Sequence, residues 1–249
     1  MRYLEQDRAF VVFDAQDSGC LSYGVEAEGS RWFVKRAVRA DARASLTRAA
    51  GLHAAVRHDA VVRPVHVLDG VDGPTLVYPW CDGSVLNAAT VLGEDRSALL
   101  RFQQLPVAEV ERALDEILAA HVAVEAAGYI PVDLYDGCFL YDFDAHRMWL
   151  IDLDEYRPGA FVLDSDRLPG SRRYMAPEEF VRGSVIDERT GVHALGRTLQ
   201  HLLDAPDGWR GSSAQQEVVR RATHPDPTHR HPRAAALVDA WRTAGLSSV

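Results

Sequence analysis

One lysine stands among 26 arginines in this 249-residue chain: Lys35, in RWFVKR (31–36). Arginine fills the surface-like positions where either cation would serve. An ammonium is a compact, mobile charge and a guanidinium a planar fork, so Lys35 marks either a site that needs the former or one lysine kept by chance. Two carboxylates follow in apolar surroundings, Asp133 in PVDLYDGCFL (131–140) and Asp152 in IDLDEY (151–156). An ammonium on phosphates, a carboxylate holding magnesium and a carboxylate orienting an acceptor hydroxyl are what phosphoryl transfer requires. Lys35, Asp152 and Asp133 supply those three types.

The elements that must position them differ between the two parts of the chain. AFVVF (9–13), LSYGVEA (21–27) and RWFVKRA (31–37) are β-branched and aromatic runs separated by turn residues such as Glu28-Gly29-Ser30, which predicts an antiparallel meander. Residues 42–56 are alanine-rich without proline and read as a helix, followed by the apolar runs VVRPVHVL (61–68) and TLVYPW (75–80). Beyond residue 80, Val107, Val110, Leu114, Ile117, Leu118 and His121 recur at helical spacing up to a break at Gly128. CFLYD (138–142) and MWLID (148–152) read as a small hairpin, and helices are expected at 192–203, 214–222 and 232–244.

Composition narrows the function classes. The net charge is −9, balanced at 10 basic and 10 acidic residues in 1–80 and acidic, 17 against 26, in 81–249, which argues against a nucleic-acid partner. No apolar run reaches the roughly 18–20 residues that span a bilayer, and MRYLEQDRAF lacks the pattern of a secretory leader, so a cytoplasmic, non-membrane protein is expected. Cys20, Cys81 and Cys138 are widely spaced, which suggests neither a disulfide framework nor a zinc site. HPDPTHRH (224–231) holds three histidines, but its interleaved prolines favour a solvated loop over a metal cluster.

Taken in order, these segments resemble the protein kinase superfamily, in the manner of an atypical bacterial serine/threonine protein kinase, over nearly the whole chain. FVK (33–35) resembles the third-strand lysine motif, TLVYPWCDGSVL (75–86) the hinge, PVDLYDGCFL the catalytic loop and IDLDEY the magnesium motif. GSRRYMAPEE (170–179) resembles the end of an activation segment, and DPTHR (226–230) carries the arginine that in the family pairs with the glutamate of that segment, here Arg230 and Glu178. The resemblance implies an α+β, bilobal fold in one domain, with an N-lobe over 1–80 and a mostly helical C-lobe over 81–249. It implies ATP and magnesium as cofactors. Lys35 would contact the phosphates, Asp133 would orient or deprotonate the acceptor hydroxyl, and Asp152 would hold magnesium. Tyr78 falls at the gatekeeper position, with the Pro79 carbonyl and the Cys81 N–H facing adenine, and Gly19 matches the third glycine of the phosphate loop.

The departures are as specific. Asp14 and Gln16 stand where the first two glycines of that loop belong and would hinder close backbone approach to phosphate. Ala49 replaces the helix glutamate that pairs with the lysine, and 42–56 contains no acid, so Lys35 needs another partner or none. Cys138 replaces the magnesium-binding asparagine, a thiol being a poor ligand for so hard a cation, and the chain's only asparagine is Asn87. Asp154, where the family has glycine, is then expected to supply the second metal contact. Asp136 is either a further carboxylate for metal or substrate or a turn aspartate bonding its own backbone. Pro131 and Val132 replace the histidine and arginine of the catalytic loop, Tyr135 its lysine, and Gly191 the aspartate that anchors it from below.

Three readings follow. The first is a kinase of protein serine or threonine hydroxyls. The second is a pseudokinase serving as a nucleotide-binding or scaffolding module with a protein partner. The third is a phosphotransferase for a small molecule or a biosynthetic peptide.

Overall fold

The computed structural model describes residues 5–16, 18–70 and 73–246, so the first four residues of the N-terminal segment lie outside it. The expected meander forms as β1 (Ala9–Phe13), β2 (Cys20–Ala27) and β3 (Ser30–Ala37). β2 and β3 pair along all eight residues around Glu28 and Gly29, both at positive φ (53° and 73°), the backbone a tight two-residue hairpin demands. Helix α1 (Ala40–Ala55) follows, and Ala42, Leu46 and Ala49 on its buried face pack on Leu76 and Tyr78 of the sheet. β4 (His66–Gly70) and β5 (Gly73–Pro79) complete a five-stranded antiparallel sheet in the order β1-β2-β3-β5-β4.

The run 61–68 is only partly strand. Pro64 interrupts it, and Val61 instead makes a single parallel bridge to Leu150, with the Val62 N–H donating to the Leu150 carbonyl at 3.1 Å. The chain thus crosses to the second part of the molecule before β4 begins.

Residues 84–102, unassigned from sequence, form β6 (Ser84–Val85), β7 (Ala88–Thr90), β8 (Gly93–Asp95) and helix α2 (Ser97–Phe102). Helix α3 (Val107–Ala126) buries the expected stripe and ends before Gly128, at φ 77°, followed by the short strand β9 (Tyr129–Ile130). The hairpin β10 (Phe139–Asp142) and β11 (Arg147–Leu150) joins β6 in a three-stranded sheet. Helix α4 (Glu188–Leu203) starts earlier than the apolar spacing suggests because the Asp187 side chain caps it, accepting from the Arg189 N–H at 2.8 Å. Helices α5 (Ser213–Ala222) and α6 (Ala234–Leu246) close a core that runs from Leu52 to Trp241. The architecture is mixed α+β, an antiparallel sheet with helices, and among the described residues no helix is long and apolar enough to cross a membrane.

The ion pair expected between Arg230 and Glu178 is present, bidentate at 2.6 and 2.9 Å. The buried guanidinium also donates to the carbonyls of His224, Pro225 and Arg189, which satisfies a charge that burial would otherwise penalise. The 224–231 segment is a short turn around Pro227–His229. No cluster of three or more histidine, cysteine or acidic side chains among the described residues is placed to hold a metal ion.

Three buried histidines set an acid limit on this fold. His121 bonds the Ile117 carbonyl through Nδ1 and the Tyr156 hydroxyl through Nε2, both at 2.8 Å, an arrangement suited to the neutral ring with its proton on Nδ1. Burial pushes His53, His121 and His193 each down to about 4. Because the unfolded chain titrates its histidines near 6.5, it binds more protons than the native state between those values. Stability is therefore expected to be full above pH ~6.5 and to fall as pH drops toward 4, His121 alone costing on the order of 3 kcal/mol by then. Urea midpoints measured across that range check this, and a His121→Gln variant is expected to lose its share of the slope.

Candidate functional site

Lys35 sits at the centre of β3, paired across to Ser22 on β2 and to Leu76 on β5. This holds the stem between two strands and leaves the residue 5% exposed. Its Nζ lies 2.5 Å from Asp152 Oδ1 and 2.5 Å from Asp154 Oδ2. Burial alone would lower the ammonium's pKa, but the Asp152 and Asp154 carboxylates outweigh it and hold the group well above the ordinary lysine value. Both acids reach the lysine because the chain leaves β11 through a tight turn, Asp152 adopting φ 60°, a left-handed conformation that aspartate tolerates better than most residues. Leu153 and Tyr156 are buried in the core and fix the segment on either side of Asp154. Asp154, the residue expected at a second metal contact, turns into the protein against Lys35, its side chain 10% exposed.

The helix glutamate absent from the sequence is absent from the geometry as well: Ala49 packs into the apolar contact between α1 and the sheet. α1 still engages the acidic segment with the charges reversed. Ser45 Oγ donates to Glu155 Oε1 at 2.5 Å and Arg48 Nη2 to Glu155 Oε2 at 2.7 Å. Glu155 went unmarked in the sequence; its signal would have been an acid directly after the Asp-x-Asp motif and a helix whose charged partners are two arginines, Arg43 and Arg48.

A cleft of about 440 Å³ opens beside Lys35. Val12, Phe33, Val62, Leu140 and Ile151 give it apolar walls, and of the residues singled out from sequence it also takes Tyr78, Pro79, Cys81 and Asp152. The Trp80 N–H is used by the Arg31 carbonyl at 3.0 Å, so the edge at Pro79 and Cys81 is what the cleft offers beyond Tyr78. Two buried polar atoms on residues of its wall have no hydrogen-bond partner, Ser22 Oγ and Asn87 Oδ1. Such groups cost about 1–3 kcal/mol each unless a ligand or water satisfies them.

Gly19 is not part of the cleft wall. At φ 68° it turns the chain into β2 beside the Arg39 guanidinium, where an added Cβ would come 2.7 Å from Nε. Its glycine is explained by that turn and not by phosphate. Asp14 and Gln16 do line the cleft. Across its mouth the Val91 N–H, in the turn between β7 and β8, donates to the Ala15 carbonyl at 2.8 Å, and Ala88–Thr90 form part of the wall. Nothing in the spacing of residues 84–95 signalled this closure.

Asp133 lies outside the cleft wall, at φ 60°, with Gly170 beside it: a Cβ at 170 would make ordinary van der Waals contact with the Asp133 Cα, at 3.5 Å. The segment that begins at Gly170 therefore rests on the Asp133 loop. Cys138 is enclosed between the two acidic turns, its thiol donating to the Asp133 carbonyl at 3.2 Å. Burial, reinforced by Asp133 and Asp152, pushes that thiol well up, so it ties loops together as a neutral donor and is no metal ligand. Asp136 opens the single turn Asp136–Cys138, but its fully buried carboxylate is taken up by other side chains: it accepts from Asn87 Nδ2 at 2.9 Å and pairs with Arg173 at 3.0 Å. Pro131 and Gly191 also explain one another, because a Cβ at 191 would meet the proline ring at 2.9 Å.

No family model and no curated protein matches the chain.

Thiol exposure tests that geometry directly. Cys20 and Cys138 are buried, burial raising Cys20 to about 11, whereas Cys81 is half-buried at the cleft. Alkylation of the native protein at pH 8 is expected to modify Cys81 at least about tenfold faster than the other two, and any molecule that fills the cleft should slow it. Peptide mass spectrometry over a time course measures both effects.

Proposed function

We propose that the chain is an ATP- and magnesium-dependent phosphotransferase acting on an alcohol acceptor, first of all a serine or threonine hydroxyl of a protein. Its sheet with one helix would then form an N-lobe over 1–80 and its helical part a C-lobe over 81–249. The observation that carries the reading is the buried ammonium of Lys35 beside Asp152 on the wall of a cleft of about 440 Å³, a size suited to a cofactor.

The residues present fit a nucleotide. Phe33, Val12 and Leu140 offer faces for a base, the Pro79 carbonyl and Cys81 N–H offer its edge two complementary groups, and Lys35 offers a cation to the phosphates. The unpartnered Ser22 hydroxyl lies across from Lys35 in register and can donate to the same anion. Asp152 is the carboxylate with access to a phosphate-bound magnesium, which suits an ion that takes one or two carboxylates and completes its shell with phosphate and water. Magnesium would supply neutralisation of phosphate charge. Asp133, beside the segment that starts at Gly170, would accept the proton of the acceptor hydroxyl.

A second reading, a nucleotide-binding or scaffolding pseudokinase with a protein partner, is favoured by the cleft mouth. There Asp14 places a carboxylate where phosphate charge would lie, and the bond from Val91 to Ala15 restrains the loop.

Incubation with magnesium and γ-labelled ATP separates the two. Wild type is expected to bind and transfer; Lys35→Met and Asp152→Asn to lose binding by about tenfold or more, as charge-assisted contacts do. Asp133→Asn should keep binding and lose transfer by roughly a hundredfold or more. Binding without transfer to protein or to hydroxyl metabolites selects the second reading, and no binding overturns the first reading and the nucleotide-binding form of the second.

A further inference from the structure

We propose that Asp154 and Glu155 divide a task usually given to one carboxylate: Asp154 is the positioning residue that holds Lys35, and Glu155 separately holds α1, so the lysine stays in place whatever the helix does. The importance of Lys35 rests on its reading as a phosphate ligand; the two clasps themselves do not.

The argument begins with access. Asp152 and Asp154 both lie 2.5 Å from Nζ, but the Asp152 side chain is 39% exposed and lines the cleft, whereas that of Asp154 is 10% exposed and does not. A cation or ligand arriving in the cleft can draw Asp152 away. It cannot reach Asp154 without displacing protein. Once Asp152 is engaged elsewhere, Asp154 is the carboxylate that keeps a buried ammonium paired and its flexible stem fixed.

Glu155 faces the other way. Asp154 and Glu155 are the two central residues of a turn closed by the Tyr156 N–H donating to the Leu153 carbonyl at 3.3 Å, and from it Asp154 reaches Lys35 on β3 while Glu155 reaches Ser45 and Arg48 on α1. The backbone between these two clasps is itself pinned, Leu153 and Tyr156 being buried on either side and the Tyr156 hydroxyl bonded to His121 at 2.8 Å. No charged contact links Lys35 to α1, whose residue nearest in role is the apolar Ala49. A shift of α1 therefore strains the Glu155 clasp and leaves the lysine clasp intact.

Having one lysine makes the test direct, because an amine-acylating ester can mark only Lys35 and the chain's α-amine. Labelling of Lys35 is followed at a single pH by peptide mass spectrometry, with hydrogen exchange of residues 40–55 as a second readout. Asp154→Asn is expected to speed labelling about tenfold or more, since the carboxylate that remains is Asp152, 39% exposed and free to swing into the cleft, and Asp154→Glu to restore it to within about threefold of wild type. Asp152→Asn should also stay within about threefold. Glu155→Gln should leave labelling within about twofold while α1 exchanges faster by about tenfold. Wild-type labelling in Asp154→Asn, or a tenfold increase in Glu155→Gln, overturns the division of roles. Should Asp154→Asn not fold, the Asp152→Asn arm still decides, because a tenfold increase there would make Asp152 the positioning residue. A wild type that shows these labelling patterns and binds no nucleotide sinks the proposed function and leaves the two clasps standing.

Discussion

A lysine ammonium that is 5% exposed has to be neutralised where it lies, and this requirement organises the middle of the molecule. Lys35 cannot withdraw, because its strand is paired on both sides, and only a small part of it faces the cleft. The carboxylates must come to it. They do so by a left-handed turn at Asp152, and that turn is possible because β11 ends where Leu150 is bonded to residues 60–62. The crossing of the chain at Val61, the β10–β11 hairpin and the burial of Leu153 and Tyr156 all serve to deliver two acids to one amine.

Delivering them from the same short segment frees α1 from the task. The helix can then use alanine at position 49 and approach the sheet through small side chains, with Ser45 and Arg48 binding Glu155 at its edge. The ammonium is thus fixed by backbone already locked in the core, whereas a helix lying on the sheet would be an independently movable support. The polarity reversal at Arg48 fits a chain that uses arginine for nearly every cation, since a planar guanidinium can grip both the serine and the carboxylate.

The strands of the first sheet were legible because alternation and the Glu28-Gly29 turn are local signals, and α3 because its apolar spacing spans several turns. Arg230 and Glu178 were foreseen only through the resemblance, since nothing local links residues 52 apart. What stayed hidden is tertiary. β6 has two residues and pairs with β10 more than 50 positions later, so no window contains its signal. The run at 61–68 looked like one strand because periodicity does not register which partner each residue finds. Asp154 was read as a metal ligand by its spacing from Asp152, yet spacing alone does not say which of two acids faces the cleft. Gly19 satisfied a glycine pattern for a different reason, its turn beside Arg39.

The mouth of the cleft shows how one missing feature can be offset by another. A glycine-rich loop would lie close over phosphates by virtue of having no side chains, and Asp14 and Gln16 give that up. In this chain the same stretch is tied to the turn of the β7–β8 hairpin by the Val91 N–H donating to the Ala15 carbonyl, and both line the cleft. Such a closure favours retention of whatever occupies the cleft, because opening it requires breaking a backbone bond between two separate elements. The lysine clasp and the hairpin therefore pull in one direction, toward a preorganised site. Preorganisation of that kind raises affinity by lowering the cost of ordering on binding.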